Sequence, residues 1–219
     1  MFIGHHISTD YHEVLLSDSI SFVLDKMTEL HCKQMAVVEE GVFYGLIEEN
    51  QLLDESNTAL TMESLKNTLR PIYLFDYQHI YDALQLIAHN DFCFIPILDK
   101  NHHYLGSLTK QSILIALNTI LGNEESAIIV LELGPRDNAL SHIAHIIEAE
   151  NTNIYSTAIH QIPDSSDLAL TIKVNRTNLS AVVAALNRNN YPVKATFRDS
   201  ADQTDIQNRY DLLMNYLDL

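Results

Sequence analysis

The 219-residue chain has few basic residues, few cysteines and no long apolar run. Its 13 Lys and Arg stand against 29 Asp and Glu, which gives a formal net charge of −16 at pH 7. Because contacts to phosphate dominate nucleic-acid affinity, this charge argues against a nucleic-acid partner, and the same repulsion disfavours anionic membrane surfaces. A small ligand in a local cleft responds only to nearby charges, so the acidity excludes no small-molecule site.

The two cysteines, Cys32 and Cys93, allow at most one disulfide bond. A reducing compartment would keep both as thiols, and we predict that they lie in the core. No apolar run approaches the length of about 18 residues that a membrane span needs, and polar residues near the start argue against a signal peptide. We therefore expect a cytoplasmic protein.

What the chain does have is an ordinary globular composition. Hydrophobic residues make up 47% of the sequence and charged residues 19%, which excludes the signature of intrinsic disorder. The chain is longer than one typical domain, so two or three small domains are expected.

An internal repeat organises the first half of the chain, and such repeats decide the fold assignment. Residues 19–53 align with residues 78–114, so that Ile20 meets Ile80 and, after one inserted residue, Gly45 meets Gly106. Each copy predicts a helix, two strands and a second helix, because helically spaced apolar positions precede short apolar runs that flank a turn. Two such units would share a cleft.

The periodicity also predicts where these elements lie. In the first copy, we expect a helix over 20–30, with Ser17, Asp18 or Ser19 as its cap, and strands at 35–38 and 43–47. Between those strands, Glu39 and Glu40 predict a solvated turn. In the second copy, we expect a helix over 80–87 and strands at 93–98 and 104–108.

This order of elements resembles the CBS domain, which occurs as tandem pairs that form a module with pseudo-twofold symmetry. The resemblance covers about the first 120 residues and rests on QMAVVEEGVFYGLIEENQLL in the first copy and FIPILDKNHHYLGSLTKQSIL in the second. It implies an α/β module that binds an adenosine-containing regulatory ligand, such as AMP, ATP or S-adenosylmethionine, in the shared cleft. The expected domains are residues 1–60 and 61–122.

The resemblance also implies ligand-binding residues where the second strand of each copy meets its second helix. The family pattern is a Gly, two mostly apolar residues, a Thr or Ser, and three residues later an Asp that holds the ribose hydroxyls. The second copy keeps Gly106 and Thr109 but has Ser112 in place of the Asp. The first copy has Glu48 for the Thr and Gln51 for the Asp.

We expect the second copy to be the better ligand site. Thr109 would place a hydroxyl near a helix N-terminus, and the backbone of Ile95 and Pro96 would contact the base. A like-charge pair about 4 Å apart costs roughly 4 kcal/mol at an effective dielectric of about 20, so Glu48 is expected to exclude polyphosphates from the first copy. The alternative is that both clefts are empty and the module is a dimerisation or interaction scaffold.

The second half, residues 123–200, predicts a different unit. Apolar runs and helical stripes predict the order strand, helix, strand, strand, helix, strand over residues 127–133, 140–147, 154–162, 168–174, 179–186 and 191–198. This is the split βαβ, ferredoxin-like arrangement. Residues 201–219 predict an amphipathic C-terminal helix with one apolar face, formed by Ile206, Tyr210, Leu213 and Leu217.

The segment GPRDNALSHIAHIIEAENTNIYSTAI, residues 134–159, resembles the opening of the ACT domain, a family that often senses amino acids at dimer interfaces. The resemblance implies an amino-acid site at the helix start and the second strand: Asp137, Asn138, Ala139, Leu140, Asn151 and Ile154. Asn tolerates the left-handed conformation that such a turn needs. The alternative is that this surface pairs sheets between subunits.

Both families commonly self-associate, so the resemblance implies a homodimer, and the C-terminal helix would strengthen it by packing on the body or on a second subunit. The order of a CBS pair followed by an ACT domain resembles the acetoin-utilisation type of CBS protein. That type implies a metabolic setting without supplying a reaction.

Candidates for catalysis or metal binding have simpler explanations. None of the crowded histidines has the paired Cys/His spacing of a structural zinc site, so we interpret them as solvated. They are His5, His6 and His12, which lie near Asp10, and His102, His103, His142 and His145. His31 and Cys32 are adjacent, so they point in different directions on a helix. The sequence has no Gly-rich phosphate loop and no nucleophile elbow. We therefore predict a non-catalytic, ligand-sensing regulator with an unidentified protein partner.

Overall fold

The computed structural model describes residues 1–8, 12–55, 57–122, 125–134 and 140–198. The chain divides into two compact units, residues 1–118 and residues 119–219. The predicted C-terminal helix with Ile206, Tyr210, Leu213 and Leu217 lies outside the described residues. The predicted domain limits at 60, 122 and 200 stay predictions.

The first unit contains two copies of a strand, helix, strand, strand, helix arrangement. The elements of the first copy are β1 (Glu13–Val14), α1 (Ile20–Glu29), β2 (Gln34–Glu39), β3 (Val42–Glu48) and α2 (Glu49–Leu53). Those of the second copy are β4 (Leu74–Phe75), α3 (Ile80–His89), β5 (Phe94–Leu98), β6 (Tyr104–Thr109) and α4 (Lys110–Leu121). Short 3₁₀ helices precede the copies at Ile3–His6 and Met62–Thr68. The α/β fold class is therefore confirmed.

Each copy forms a three-stranded sheet with the same order, β1-β2-β3 and β4-β5-β6. The first pair in each sheet is parallel and the second is antiparallel. The antiparallel register shifts between Val37 and Val38 in one sheet and between Ile97 and Leu98 in the other. Because these positions are aligned in the repeat, the two copies share even their local irregularities.

The start of each first helix is capped by a side chain. Ser19, one of the three predicted caps, accepts a hydrogen bond at Oγ from the backbone N–H of Phe22, 3.2 Å away. In the second copy His79 takes this position, and its Nδ1 accepts from the N–H of Tyr81 at 3.2 Å. The carboxylate of Asp82 accepts in turn from the His79 N–H at 3.3 Å. Both caps satisfy backbone donors that a helix start leaves unpaired.

Each copy is completed by the segment that precedes the other copy in the sequence. The chain start packs on the second copy, where Ser8 and Ser107 exchange two backbone hydrogen bonds of 2.8 and 3.1 Å. The segment before β4 packs on the first copy, where Arg70 and Leu46 exchange two such bonds of 2.8 and 2.9 Å. The two copies are therefore interleaved along the chain.

Glycines at aligned positions allow these segments to approach the sheets. Gly45 has φ +150°, and a Cβ there would lie 2.7 Å from the Cβ of Leu69. Gly106 has φ +140°, and a Cβ there would lie 2.7 Å from Cγ2 of Ile7 and 2.8 Å from the carbonyl oxygen of Ser8. Backbone conformation and available space both require glycine at these two positions.

The turn between β2 and β3 differs in part from the prediction. Glu40 is exposed with φ +48°, and Gly41 follows with φ +78°, so these two residues form the turn. Glu39 instead ends β2, and its carboxylate accepts a hydrogen bond from the N–H of Leu16 at 3.0 Å. The solvated interpretation was wrong for Glu39, because the sequence gives no sign of this long-range backbone donor.

The second unit is an antiparallel sheet packed on two helices. Its elements are β7 (Ala127–Leu133), α5 (Leu140–Ala149), β8 (Ile154–Gln161), β9 (Leu168–Val174), α6 (Ser180–Arg188) and β10 (Val193–Phe197). The strand order is β10-β7-β9-β8, and every pairing is antiparallel. The ferredoxin-like order predicted from the sequence is thus present.

The core of this second unit lies between the sheet and the helices. The most buried residues alternate along β7 and occupy one face of each helix: Ala127, Ile129, Leu131, Ile143, Ile147, Val182 and Leu186. Alternation in strands and helical spacing in α5 and α6 are the patterns that the sequence shows.

Candidate functional site

In the second copy, Thr109 ends β6 and caps α4. Its Oγ1 accepts a hydrogen bond from the backbone N–H of Ser112 at 3.1 Å, and the two side-chain hydroxyl oxygens lie 3.0 Å apart. Both side chains are half-buried. Because two hydroxyls carry two protons and one proton joins the pair, the other hydroxyl proton is available to a ligand.

The predicted base contacts, Ile95 and Pro96, lie in the buried strand β5. At the position of the first copy aligned with Pro96, the N–H of Ala36 donates to the carbonyl oxygen of His12 at 2.9 Å. Proline has no N–H, so this bond cannot form in the second copy, and pairing with β4 begins one residue later, at Ile97. The edge of β5 at Ile95 and Pro96 therefore lies outside the β4 ladder.

In the first copy, Glu48 and Gln51 form a reciprocal cap on α2. Gln51 accepts a hydrogen bond at Oε1 from the Glu48 N–H at 3.0 Å and donates from Nε2 to the Thr68 carbonyl at 3.1 Å. The Glu48 carboxylate also forms an ion pair with the guanidinium of Arg70. Because Arg70 places a positive charge beside Glu48, a phosphate there meets less repulsion than an isolated carboxylate would impose.

A cavity of about 400 Å³ opens beside this ion pair. It is lined by both copies and by the segment between them: Lys33, Gln34, Glu48, Glu49, Asn50, Arg70, Asn90, Asp91 and Phe92. The volume falls within the range of small-molecule pockets. The lining has two cationic groups, three carboxylates, three amides and one aromatic ring, which together suit a polar ligand with a planar ring. We call this space the cleft cavity.

The position of Arg70 is fixed from two sides. Glu48 binds one of its guanidinium nitrogens, and the guanidinium carbon lies 5.7 Å from the centre of the Phe92 ring. This second contact has the distance of a cation–π interaction. Arg70 therefore links the first copy to the second across the cleft cavity.

A buried hydrogen bond joins the two copies behind the cavity. Gln34 is only 3% exposed, and its Nε2 donates to the carbonyl oxygen of Phe94 at 2.6 Å. Gln34 opens β2 and Phe94 opens β5, so the bond connects aligned positions of the repeat. A buried amide without such a partner would be costly, which makes this contact a defined point of attachment between the copies.

The two cysteines meet in the same region. Cys32 is 3% exposed, as predicted, and packs in one apolar cluster with the half-buried Cys93. The thiol hydrogen bond from Cys32, helped by the N–H of Lys33 and the charge of Lys110, holds the pKa of Cys93 below its ordinary value. The same hydrogen bond, together with burial, raises the pKa of Cys32.

The predicted amino-acid site of the second unit is described only in part. Three of its six residues lie outside the described residues: Asp137, Asn138 and Ala139. Leu140 and Ile154 are half-buried and pack against the core, while Asn151 is exposed with the predicted left-handed φ of +53°. This site stays a prediction.

Two of the predicted histidines, His103 and His142, have local partners. The half-buried His6 instead has its Nε2 atom buried without a hydrogen-bond partner among the described residues, so the solvated interpretation was wrong for His6. His103 lies 3.1 Å from the Asp99 carboxylate through Nδ1, and His142 lies 3.0 Å from the Tyr191 hydroxyl. The N–H of His103 also donates to Asp99 and holds the pKa of that carboxyl below its usual value. Within the described ranges, no three His, Cys, Asp or Glu side chains are grouped as a metal site would require. Asp10 lies outside those ranges.

Sequence reasoning missed Arg70 and Phe92 as residues of the cleft. A signal was available in the segments ahead of each copy, because Ile3 and Met62 occupy equivalent places and are both fully buried.

Comparisons with known proteins bear on the first unit. The family model of the CBS domain matches residues 65–119. A search of the curated proteins finds no significant match. A solved CBS domain pair/ACT domain protein from Thermotoga maritima is similar at 20% identity with a TM-score of 0.50, and the match covers 56% of this chain and 100% of that one.

Two further solved structures are more distant. The CBS domains of a transcriptional regulator from Streptococcus pneumoniae match at 15% identity and a TM-score of 0.45, over 52% of this chain and 98% of that one. CBSX2 in complex with AMP matches at 18% identity and a TM-score of 0.43, over 54% of this chain and 97% of that one.

The match to the CBS domain model over residues 65–119, the repeat and the two equivalent sheets show that the first unit has the fold of a CBS domain pair. For the second unit the structure shows a ferredoxin-like arrangement, and the ACT and acetoin-utilisation assignments stay predictions. Every helix in the described part of the chain falls short of the length and apolar character that a membrane crossing needs.

Proposed function

We propose that the chain is a non-catalytic regulatory protein whose CBS pair binds an adenosine-containing ligand, with AMP, ATP and S-adenosylmethionine as the candidates. The observation that supports this most is the cleft cavity of about 400 Å³, lined by both copies. Arg70 would bind a phosphate or carboxylate of the ligand, and Phe92 would contact a planar ring. Glu48 and Gln51 would set which ligand the first copy accepts.

The junction of the second copy is the other half of the proposal. The Thr109 and Ser112 hydroxyls would donate to the ribose or phosphate, and the strand edge at Ile95 and Pro96 would contact the base. The helix that follows Thr109 spans 12 residues, so its N-terminal dipole would favour an anionic group. Ser112 replaces a charged ribose ligand with a neutral one, which predicts weaker binding than the family pattern gives.

A ligand in the cleft cavity would act by contacting both copies. Only an arrangement of the two copies that brings these contacts together gains the binding energy, so the ligand shifts the protein toward that arrangement. A protein partner that binds the two arrangements with different affinities would respond to the ligand.

The first experiment is thermal unfolding of the full chain with AMP, ATP and S-adenosylmethionine. A ligand at about 100 times its dissociation constant adds roughly 2.7 kcal/mol to the stability, a clear rise in the melting temperature. Thr109→Ala should reduce a shift that depends on the second junction, whereas Thr109→Ser retains the hydroxyl and should preserve it. Arg70→Ala tests the cleft cavity in the same way, and Arg70→Lys is its charge-retaining control.

A flat response to all three compounds would contradict the adenosine proposal and favour the scaffold. The observations behind that second candidate are the ribose Asp absent from both junctions and the large apolar side chains exposed on the helices, with Phe22 at 49%, Tyr81 at 52% and Leu114 at 61%. A homodimer through these helices would be dissociated by Leu114→Asp in light-scattering measurements.

The ACT assignment extends the proposal to the second unit. There we propose that an amino acid binds at an interface between subunits of a cytoplasmic homodimer. Adding the individual amino acids to the same unfolding assay tests this part separately, because it predicts shifts that Thr109→Ala and Arg70→Ala leave unchanged.

A further inference from the structure

The two cysteines come from different copies of the repeat and pack in one apolar cluster. Cys32 follows α1, and Cys93 immediately precedes β5. The Gln34 to Phe94 hydrogen bond of 2.6 Å holds the two chain segments together next to them. The Cys32 sulfur also lies 3.3 Å from the Gln34 carbonyl oxygen. The shared cluster and these two hydrogen bonds hold both cysteines at the junction of the copies.

The environments of the two thiols are unequal in a way that suits stepwise oxidation. Cys93 is half-buried and lies near the Lys110 ammonium, so it is the thiol that a reagent can reach and the one favoured as a thiolate. Cys32 is 3% exposed and packs in the same apolar cluster as Cys93. This is the arrangement of an attacking thiol with a resolving thiol behind it.

We propose that Cys32 and Cys93 form a reversible disulfide that links the two CBS copies beside the cleft cavity and makes ligand binding depend on the redox state. The oxidant is a small disulfide of the glutathione class. The disulfide itself does not depend on which ligand binds, whereas its effect on binding rests on the proposed function.

The reaction balances as two thiol–disulfide exchanges. The Cys93 thiolate attacks one sulfur of oxidised glutathione, forms a mixed disulfide and releases one glutathione thiolate. Cys32 then loses its proton and attacks the Cys93 sulfur, which expels the second glutathione. The two cysteine thiols are oxidised by two electrons, oxidised glutathione is reduced to two thiols, and the two protons end on the released glutathione.

The link to the cavity comes from the neighbours of each cysteine in the sequence. Lys33 and Gln34, which follow Cys32, and Asp91 and Phe92, which precede Cys93, all line the cleft cavity. An S–S bond is about 2 Å long, which is shorter than the separation of any two unbonded thiols, so the two sulfurs must move closer to form it. That movement pulls the two walls of the cavity toward each other.

The test uses the full chain equilibrated in glutathione buffers of increasing oxidised fraction, quenched with N-ethylmaleimide in denaturant so that a buried free thiol also reacts, and analysed by intact mass and peptide mapping. The expected product has lost the mass of two hydrogen atoms, resists alkylation, and yields a peptide joining Cys32 to Cys93. Cys32→Ser should instead accumulate a glutathione adduct on Cys93. Cys93→Ser should form no glutathione adduct, because its remaining thiol is buried.

Full alkylation of both thiols after the most oxidising buffer would overturn the proposal, and so would a disulfide between two chains on a non-reducing gel. If either serine variant fails to fold, the peptide map of the unaltered chain still decides. Affinity for AMP is then measured by calorimetry on the reduced and oxidised chain, and equal values would overturn the redox effect on binding. Failure of AMP, ATP and S-adenosylmethionine to bind the reduced chain would contradict the proposed function alone.

Discussion

The two copies of the CBS pair are alike where they pack and different where a ligand would bind. Both have the same strand order and a register shift at aligned positions. In both, the segment that precedes the other copy, here called the exchanged segment, packs on the sheet at a glycine. We call these two residues, Gly45 and Gly106, the crossing glycines. At the strand-to-helix junction, one copy has two hydroxyls and the other an ion pair between Glu48 and Arg70.

This difference separates the requirements of the fold from those of the site. The crossing glycines are required by steric constraints that are the same in both copies. The junctions need only some side chain that caps the helix, and Thr109 and the Glu48–Gln51 pair both do so. Because different side chains can serve as the cap, the two junctions can present chemically distinct binding surfaces in one module.

The largest effect is expected at the crossing glycines. Gly45→Ala and Gly106→Ala would each force a Cβ to within 2.7 Å of a neighbouring carbon while holding alanine at positive φ. We predict that each lowers the free energy of unfolding by about 3 kcal/mol, measured by urea denaturation. Similar losses at both positions would support their equivalence.

Gly41→Ala is the matched control for that experiment. Gly41 has φ +78°, but a Cβ there meets no atom of the described residues within 4 Å. Its loss should be about 1 kcal/mol, from backbone strain alone. A loss at Gly41 equal to that at Gly45 would show that crowding by the exchanged segments contributes nothing.

The next effect concerns the buried bond between the copies. Gln34→Met keeps the length of the side chain but removes the donor to the Phe94 carbonyl. We predict a loss of about 2 kcal/mol in the same assay, because the carbonyl loses a buried partner. Gln111→Met, at an exposed position of α4, should stay within about 0.5 kcal/mol of the unaltered chain. Equal effects would mean that the Gln34 bond does not hold the copies together.

A smaller effect is expected at the cap of the second copy. Thr109→Val removes the oxygen that accepts the Ser112 N–H and should cost about 1 kcal/mol. Thr109→Ser keeps that oxygen and should retain most of the stability. Equal free energies of unfolding for the two variants would show that the hydroxyl does not stabilise the helix as a cap. Ligand binding would then be its only proposed role.

The smallest effect on stability is expected at the ion pair of the first copy. Both side chains are partly exposed, at 45% for Arg70 and 29% for Glu48, so Glu48→Gln should change the free energy of unfolding by less than about 1 kcal/mol. Its effect on binding should be larger, because Arg70 is released to a phosphate. Tighter ATP binding by Glu48→Gln in calorimetry would sharpen the contrast between the copies, and weaker binding would contradict it.

The sequence predicted the elements and the repeat well, because apolar periodicity reports local structure directly. It also predicted Ser19 as a possible cap and Cys32 as a core residue, and the structure confirms both. It did not predict β1 and β4, since two-residue strands are too short to show a period. The pairing of Glu48 with Arg70 was missed for another reason: it depends on the exchanged segments, which only the three-dimensional fold brings together.

The most direct test of the account is isothermal titration calorimetry of the reduced full chain with AMP, ATP and S-adenosylmethionine. The account predicts saturable binding of at least one of them, weakened at least tenfold, which is about 1.4 kcal/mol, by Thr109→Ala or Arg70→Ala. Absence of binding by all three would contradict an adenosine-sensing cleft and leave the CBS pair as a scaffold.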